Sequence, residues 1–225
     1  GPEIILFDPF PPDGERIHIV DHLLESVKQF GLKISERIPK IFLQGDDIGF
    51  AVQFIKSHDL GKKREERIVA IHPGSGSRKK CWEVEKFAEF IHLLRKRMAA
   101  TILIVSGPAE RETVSMLLHK VQNLLVIPDT SITRIAAVLK KCSLFVGNDS
   151  GISHISAAVL TPTIAIFGPT DPAIWGVRGK SVRIVKSTAA CAPCSAEERS
   201  LCKRQVCLEE ITVEDVFAAV DSVLS

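Results

Sequence analysis

With 225 residues, 45% of them hydrophobic and 25% charged, the chain has the composition of a soluble globular protein, with room for one large domain or one domain and an appendage. A formal charge of +2 is too small to drive binding to nucleic acid or to a membrane surface. No apolar run reaches the ~18 residues of a membrane span and no signal peptide opens the chain, so a cytoplasmic setting is the default expectation.

The chain lacks an initiator Met, and Gly1-Pro2 reads as a cleavage scar on a fragment of a longer protein. Residues 3–8 have strand character and are broken by Pro9, Pro11 and Pro12. A helix is predicted over about 17–30, with Ile17, Val20, Leu23, Leu24 and Val27 on one face and Gly31 closing it. Such a small unit cannot bury a core of its own. Residues 1–60 are therefore expected to be the remnant of a preceding domain, with a linker continuing through the Pro39 region, and 61–225 a single α/β domain. Within that domain, strand-like apolar runs fall at 68–71, 102–105, 124–127, 144–146, 163–167 and 182–185. Amphipathic helical patterns at 83–97, 110–122, 131–141 and 152–160 separate them, and a last helix near 213–224 opens at Thr212 with Glu214 and Asp215 in its first turn. Short buried strands alternating with helices predict a doubly wound, Rossmann-like parallel sheet, whose ligands sit at the carboxyl ends of the strands.

Three loops would lie on that edge. The first, His72-Pro-Gly-Ser-Gly-Ser-Arg-Lys-Lys-Cys-Trp82, combines glycines at 74 and 76, hydroxyls on Ser75 and Ser77, and the cations Arg78, Lys79 and Lys80. That mixture suits phosphate, although the Gly-Lys-Ser/Thr ending of a P-loop is absent; the alternative is a flexible basic loop with solvated lysines. The second, Ser106-Gly-Pro-Ala-Glu110, offers Glu110 either as a ribose hydrogen-bond acceptor or as an ordinary acid in a first helical turn. The third, Gly147-Asn-Asp-Ser-Gly-Ile-Ser-His154, is the most informative. A strand runs into Asn148, Asp149 and Ser150, and Gly151 allows close approach to the free N–H groups of the next helix. The plain alternative is a side-chain N-cap. Downstream, Thr170, Asp171 and Trp175 follow a Gly-Pro turn and either rim the same cleft or, for Trp175, fill core.

Taken in order and spacing, His72-Pro-Gly-Ser with Lys80 and Trp82, then Ser106-Gly-Pro-Ala-Glu110, then Gly147-Asn-Asp-Ser-Gly-Ile-Ser-His154, then Phe167-Gly-Pro-Thr-Asp-Pro172 with Trp175, resemble glycosyltransferase family 9, the family of the ADP-heptose lipopolysaccharide heptosyltransferases. The resemblance covers roughly residues 65–225, and His18-x-x-Asp21 also looks like the family's segment closing its first domain. It implies the C-terminal half of a GT-B glycosyltransferase that transfers a sugar by inversion, heptose from ADP-heptose, to a lipopolysaccharide core or other saccharide acceptor. By the same resemblance Gly74, Ser75, Glu110, Asp149, Ser150, Gly151 and His154 bind the donor, and Lys80 both binds it and neutralises charge on the departing diphosphate. A lysine and a helix N-terminus can do this without a divalent metal, so no cofactor is required for catalysis. The family's general base lies in the segment absent here, so none is assigned and the fragment alone is expected to be inactive. The family works at the inner face of the cytoplasmic membrane, which allows peripheral association.

Cys191-x-x-Cys194, Cys202 and Cys207 cluster late in the chain, while Cys81 and Cys142 stand apart. The four clustered residues can make a structural zinc or iron–sulfur site, remain free thiols, or pair by oxidation; the segment 191–207 is expected to lie away from the diphosphate loop. The competing functional reading is a stand-alone, non-catalytic nucleotide- or metal-binding module.

Overall fold

The computed structural model describes residues 6–12, 14–28, 30–62, 65–107 and 110–224. In chain order the helices are α1 (Ile19–Lys28), α2 (Gly45–Ser57), α3 (Val84–Arg97), α4 (Arg111–Lys120), α5 (Ile132–Leu139), α6 (Gly151–Ala158), α7 (Pro172–Trp175), α8 (Ala196–Leu201), α9 (Val206–Glu209) and α10 (Val213–Leu224). The strands are β1 (Arg67–His72), β2 (Ala100–Ile104), β3 (Leu124–Val126), β4 (Leu144–Asn148), β5 (Thr163–Phe167) and β6 (Val182–Lys186). They form one sheet in the order β3-β2-β1-β4-β5-β6, with every neighbouring pair parallel. Parallel neighbours cannot be joined by a tight turn, so α3 to α7 serve as the crossovers.

The side-chain period of two sends alternate residues of each strand to opposite faces. Val69 and Ile71, Ile102 and Ile104, Leu144 and Val146, and Ile164 and Ile166 pack into one layer with Phe87 and Phe90 of α3, Leu117 of α4 and Phe217 of α10. Ala70, Leu103 and Phe145 face the other layer, which Ala51 and Phe54 of α2 and Ile135 and Val138 of α5 complete. Both faces are covered, which is why the strands read as continuous apolar runs. The strand order reverses between β1 and β4, where His72 pairs with Gly147. Crossovers leave these two strands in opposite directions and open a crevice at their carboxyl ends.

The N-terminal part departs from the pattern reading. Residues 6–8 of the expected first strand carry no regular structure, and 3–5 lie outside the described residues; Pro9, Pro11 and Pro12 leave no run of donors for a neighbouring strand. The helix expected over 17–30 is shorter. It begins at Ile19 because His18 Nδ1 accepts from the Val20 N–H at 3.1 Å, and Gly31, at φ +72°, closes the turn after it. α2 lies within the stretch expected to be remnant and linker. It buries Ala51 and Phe54 and packs on α5; Gly45 and Gly49 weaken its helical signature in the sequence. Among the described residues, no helix is long and apolar enough to cross a membrane.

Candidate functional site

The site starts from Asn148, the last residue of β4, which is fully buried. Its Nδ2 donates to the carbonyls of Pro73 at 2.9 Å and Gly74 at 3.2 Å, and its Oδ1 accepts from the Trp82 backbone N–H at 2.9 Å. One amide thus ties the loop after β1 to the loop after β4. The Trp82 indole is buried and donates to the Ile211 carbonyl at 3.0 Å, which fixes the far end of the loop. Between these anchors the three cations take separate positions. Arg78 pairs with Glu112 at the surface. Lys79 donates to the carbonyls of Arg199 and Ser200 at 2.9 and 2.5 Å. Lys80 alone reaches across the crevice, with its ammonium 2.8 Å from Asp149 Oδ2. The solvated-lysine alternative therefore fails for Lys79 and Lys80.

Asp149 is held through its backbone and one carboxylate oxygen. Its N–H donates to the Ile166 carbonyl at 2.9 Å, its carbonyl accepts from Ser75 Oγ at 2.6 Å, and its Oδ2 also accepts from Thr170 Oγ1 at 2.7 Å. The N-cap alternative does not hold either: Ser150 occupies the N-cap position of α6 without a side-chain cap, and Asn148 and Asp149 are engaged elsewhere. Among the described residues nothing accepts from the Gly151 and Ile152 N–H groups. They remain free donors at the positive end of the helix.

These amides border a cavity of about 420 Å³ lined by Ser75, Ser150, Gly151, Glu110 and His72, with an apolar wall that includes Ile135 and Ile155. Glu110 leans over Gly74 and accepts from the Gly107 N–H at 2.9 Å; a Cβ on Gly74 would lie 1.8 Å from Glu110 Cγ. It does not cap its own helix α4. His72 donates through Nδ1 to the Val105 carbonyl at 3.0 Å, and burial pushes its pKa down, leaving the ring neutral. Asp129, Thr130 and Ile132 supply a wall of the cavity that the motif reading missed. They follow β3, so the rule that ligands sit at the carboxyl edge applied to them equally.

The remaining candidates lie around the crevice. His154, one turn into α6, is lowered first by burial, against the opposing pull of Asp149. Trp175 is half-buried, packs on the small cluster around Phe167 and meets Phe10 edge-on at 6.1 Å. Asp171 caps α7 through the Ala173 N–H at 2.9 Å and pairs with Arg16 at 2.8 Å. α1 is fastened nearby: Arg178 and Arg37 both pair with Asp21, and His18 Nε2 donates to the Gly176 carbonyl at 2.8 Å. All six cysteines are free thiols. Burial and the neighbouring Cys194 and Cys191 push Cys207 up to about 11, so the clustered thiols share one region. Among the described residues no three His, Cys, Asp or Glu side chains are arranged to hold a metal ion. The segment also lies nearer the site than expected, since the Cys194 N–H donates to the Pro169 carbonyl at 2.8 Å.

A family model described as glycosyltransferase family 9 (heptosyltransferase) matches residues 14–204. Lipopolysaccharide heptosyltransferase 1 of Pseudomonas aeruginosa is 33% identical over 115 residues, 51% of this chain and 32% of that protein. The chain spans about a third to a half of the length of the curated relatives it matches. Among solved structures, the glycosyl transferase family 9 protein of Veillonella parvula matches with a TM-score of 0.78 at 20% identity, over 94% of this chain and 61% of that one. The heptosyltransferase WaaC of E. coli, solved with ADP, matches with a TM-score of 0.63 at 23% identity, over 93% and 57%. At these identities the structural likeness speaks to the fold.

Proposed function

The chain belongs to glycosyltransferase family 9, and from that premise we propose that it forms the donor-binding half of a heptosyltransferase acting on an ADP-linked sugar. In the overall reaction an acceptor hydroxyl oxygen bonds to the anomeric carbon of the donor sugar. The bond from that carbon to the β-phosphate oxygen breaks, and ADP departs with the electron pair. Negative charge therefore grows on the diphosphate, and a site that binds this charge more strongly in the transition state speeds the reaction.

The observation that carries the proposal is the pairing of Lys80 with Asp149 beside the uncapped first turn of α6. One ammonium proton is engaged by Asp149, leaving two for a diphosphate, and the Gly151 and Ile152 N–H groups supply further donors. The adjoining cavity, with its isoleucine wall and Glu110, suits a nucleoside: apolar surface for the base and a carboxylate for ribose hydroxyls. The acceptor hydroxyl's proton needs a base, which we assign to the remainder of the full-length enzyme, together with the lipopolysaccharide core acceptor at the inner face of the cytoplasmic membrane.

Calorimetry on the isolated chain tests this. ADP and ADP-heptose should bind, Lys80→Ala should weaken both by about tenfold or more, the loss of a charge-assisted hydrogen bond, and Asp149→Ala should weaken ADP-heptose. Absence of binding, or unchanged affinities in both variants, would overturn the proposal.

A further inference from the structure

Asp149 spends its two carboxylate oxygens unequally. Oδ2 accepts from both Lys80 Nζ at 2.8 Å and Thr170 Oγ1 at 2.7 Å, while Oδ1 has no hydrogen-bond partner among the described residues. The residue is only 6% exposed, yet no buried side-chain oxygen lacks a partner among those residues, so the little exposure that remains reaches Oδ1. Thr170 is itself buried, and its backbone is fixed by the turn after β5, where the Pro169 carbonyl accepts from Cys194. A buried hydroxyl on a pinned turn thus sets the rotation of the carboxylate.

We propose that Thr170 is a positioning residue for recognition of the transferred sugar: by holding Oδ2 alongside Lys80, it keeps Asp149 Oδ1 free to accept a hydrogen bond from a sugar hydroxyl. The inference rests on the donor-binding reading above. Oδ1 carries negative charge and no proton, so it repels diphosphate oxygens and accepts from neutral hydroxyl donors. The donor carries hydroxyls on its ribose and on the transferred sugar; Glu110 and its cavity take the ribose, and Asp149, which does not line that cavity, is left for the transferred sugar. Without the Thr170 hydroxyl, the carboxylate can turn to face the Lys80 ammonium with both oxygens, and the acceptor for the sugar is lost.

The test compares Thr170→Val, which keeps the shape and removes the hydroxyl, with Thr170→Ser, which restores it, by titrating ADP and ADP-heptose into each chain. The valine variant should bind ADP-heptose about tenfold more weakly, the worth of one hydrogen bond to a charged group, with its ADP affinity within about twofold of wild type. The serine variant should recover most of the loss. A merely structural role would weaken both ligands alike and would leave their ratio unmoved. An unchanged ratio in Thr170→Val, serine no better than valine, or a wild type that binds the two ligands equally tightly overturns the inference while leaving nucleotide binding intact. A wild type that binds neither ligand overturns the donor-binding reading and the inference with it.

Discussion

Glycine at position 74 is required by a neighbour rather than by its own backbone. A Cβ there would fall 1.8 Å from Glu110 Cγ, so an alanine must push the carboxylate off the Gly107 N–H it now accepts from at 2.9 Å. The clash is at Cγ, near the root of the side chain, so Glu110 must turn as a whole about its first side-chain bond, and Gly74→Ala should cost about 1 kcal/mol of folding free energy by urea titration, an ordinary loss among point substitutions. Its effect should also fall on binding: ADP affinity drops about tenfold if Glu110 serves the ribose. Glu110→Ala should lose the same amount, and the double variant no more than either single, because both remove one contact. Independent, additive losses would show that Gly74 matters for some other reason. The residue-level site was only partly legible in the sequence. Lys80, Asp149 and Glu110 stand in loops after strands, so topology brings their loops to one edge, but it is the family resemblance, not composition, that separates Lys80 from Arg78 and Lys79 and gives Glu110 a role. Asn148 looks like a helix cap, yet its amide spans 2.9 and 3.2 Å bonds to the Pro73 and Gly74 carbonyls and takes the Trp82 N–H. Those partners lie 66 to 75 positions away, and no local pattern encodes them.

At the scale of elements, the β-strands were legible because burial on both faces forces continuous apolar runs. α10 was legible through Thr212, whose Oγ1 accepts from the Asp215 N–H at 3.1 Å while Asp215 accepts from the Thr212 N–H at 2.9 Å. α2 was not: Gly45 and Gly49 depress its propensity, and tertiary packing on α5 supplies what the sequence lacks. Phe54 is the anchor of that packing, 6% exposed and in contact with the layer that includes Ile135 and Val138. Phe54→Ala should therefore destabilise the whole domain by about 3 kcal/mol, as large-to-small changes in a core do, read from cooperative chemical unfolding. If the segment were a linker resting on the surface, the change would stay below ~0.5 kcal/mol. The same packing sets one wall of the site, because α5 carries the Ile132 and Ile135 that close the cavity; the variant should also weaken ADP.

Across the whole molecule, three histidines connect the fold to pH in the same direction. His18, His72 and His154 are each lowered from 6.5, in every case mainly by burial. An unfolded chain takes up protons at these positions near pH 6.5, while the folded chain resists them. Stability is therefore fully present above that value and is lost as the pH falls below it. His18 shows the structural reason. Its Nδ1 must be unprotonated to accept the Val20 N–H and start α1, while Nε2 donates to the Gly176 carbonyl. Burial, the larger cause, and Arg178 both oppose a second proton, and they outweigh the Gly176 hydrogen bond and Asp21, which favour it. Asp21 itself stays ionised throughout this window, since the Arg178 guanidinium holds its carboxyl well below the usual carboxylate range; the ion pairs that fasten α1 therefore do not switch off with the histidines. The melting temperature should be nearly flat between about pH 7 and 8 and should fall steadily from about pH 6.5 towards 5. His18→Asn keeps an N-cap acceptor for the Val20 N–H and removes the titrating ring, so its curve should fall less steeply over the same range. A wild type whose melting temperature rises on acidification, or an asparagine variant with the wild-type slope, would show that α1 is held by its charges alone and that the neutral ring of His18 contributes nothing to the fold.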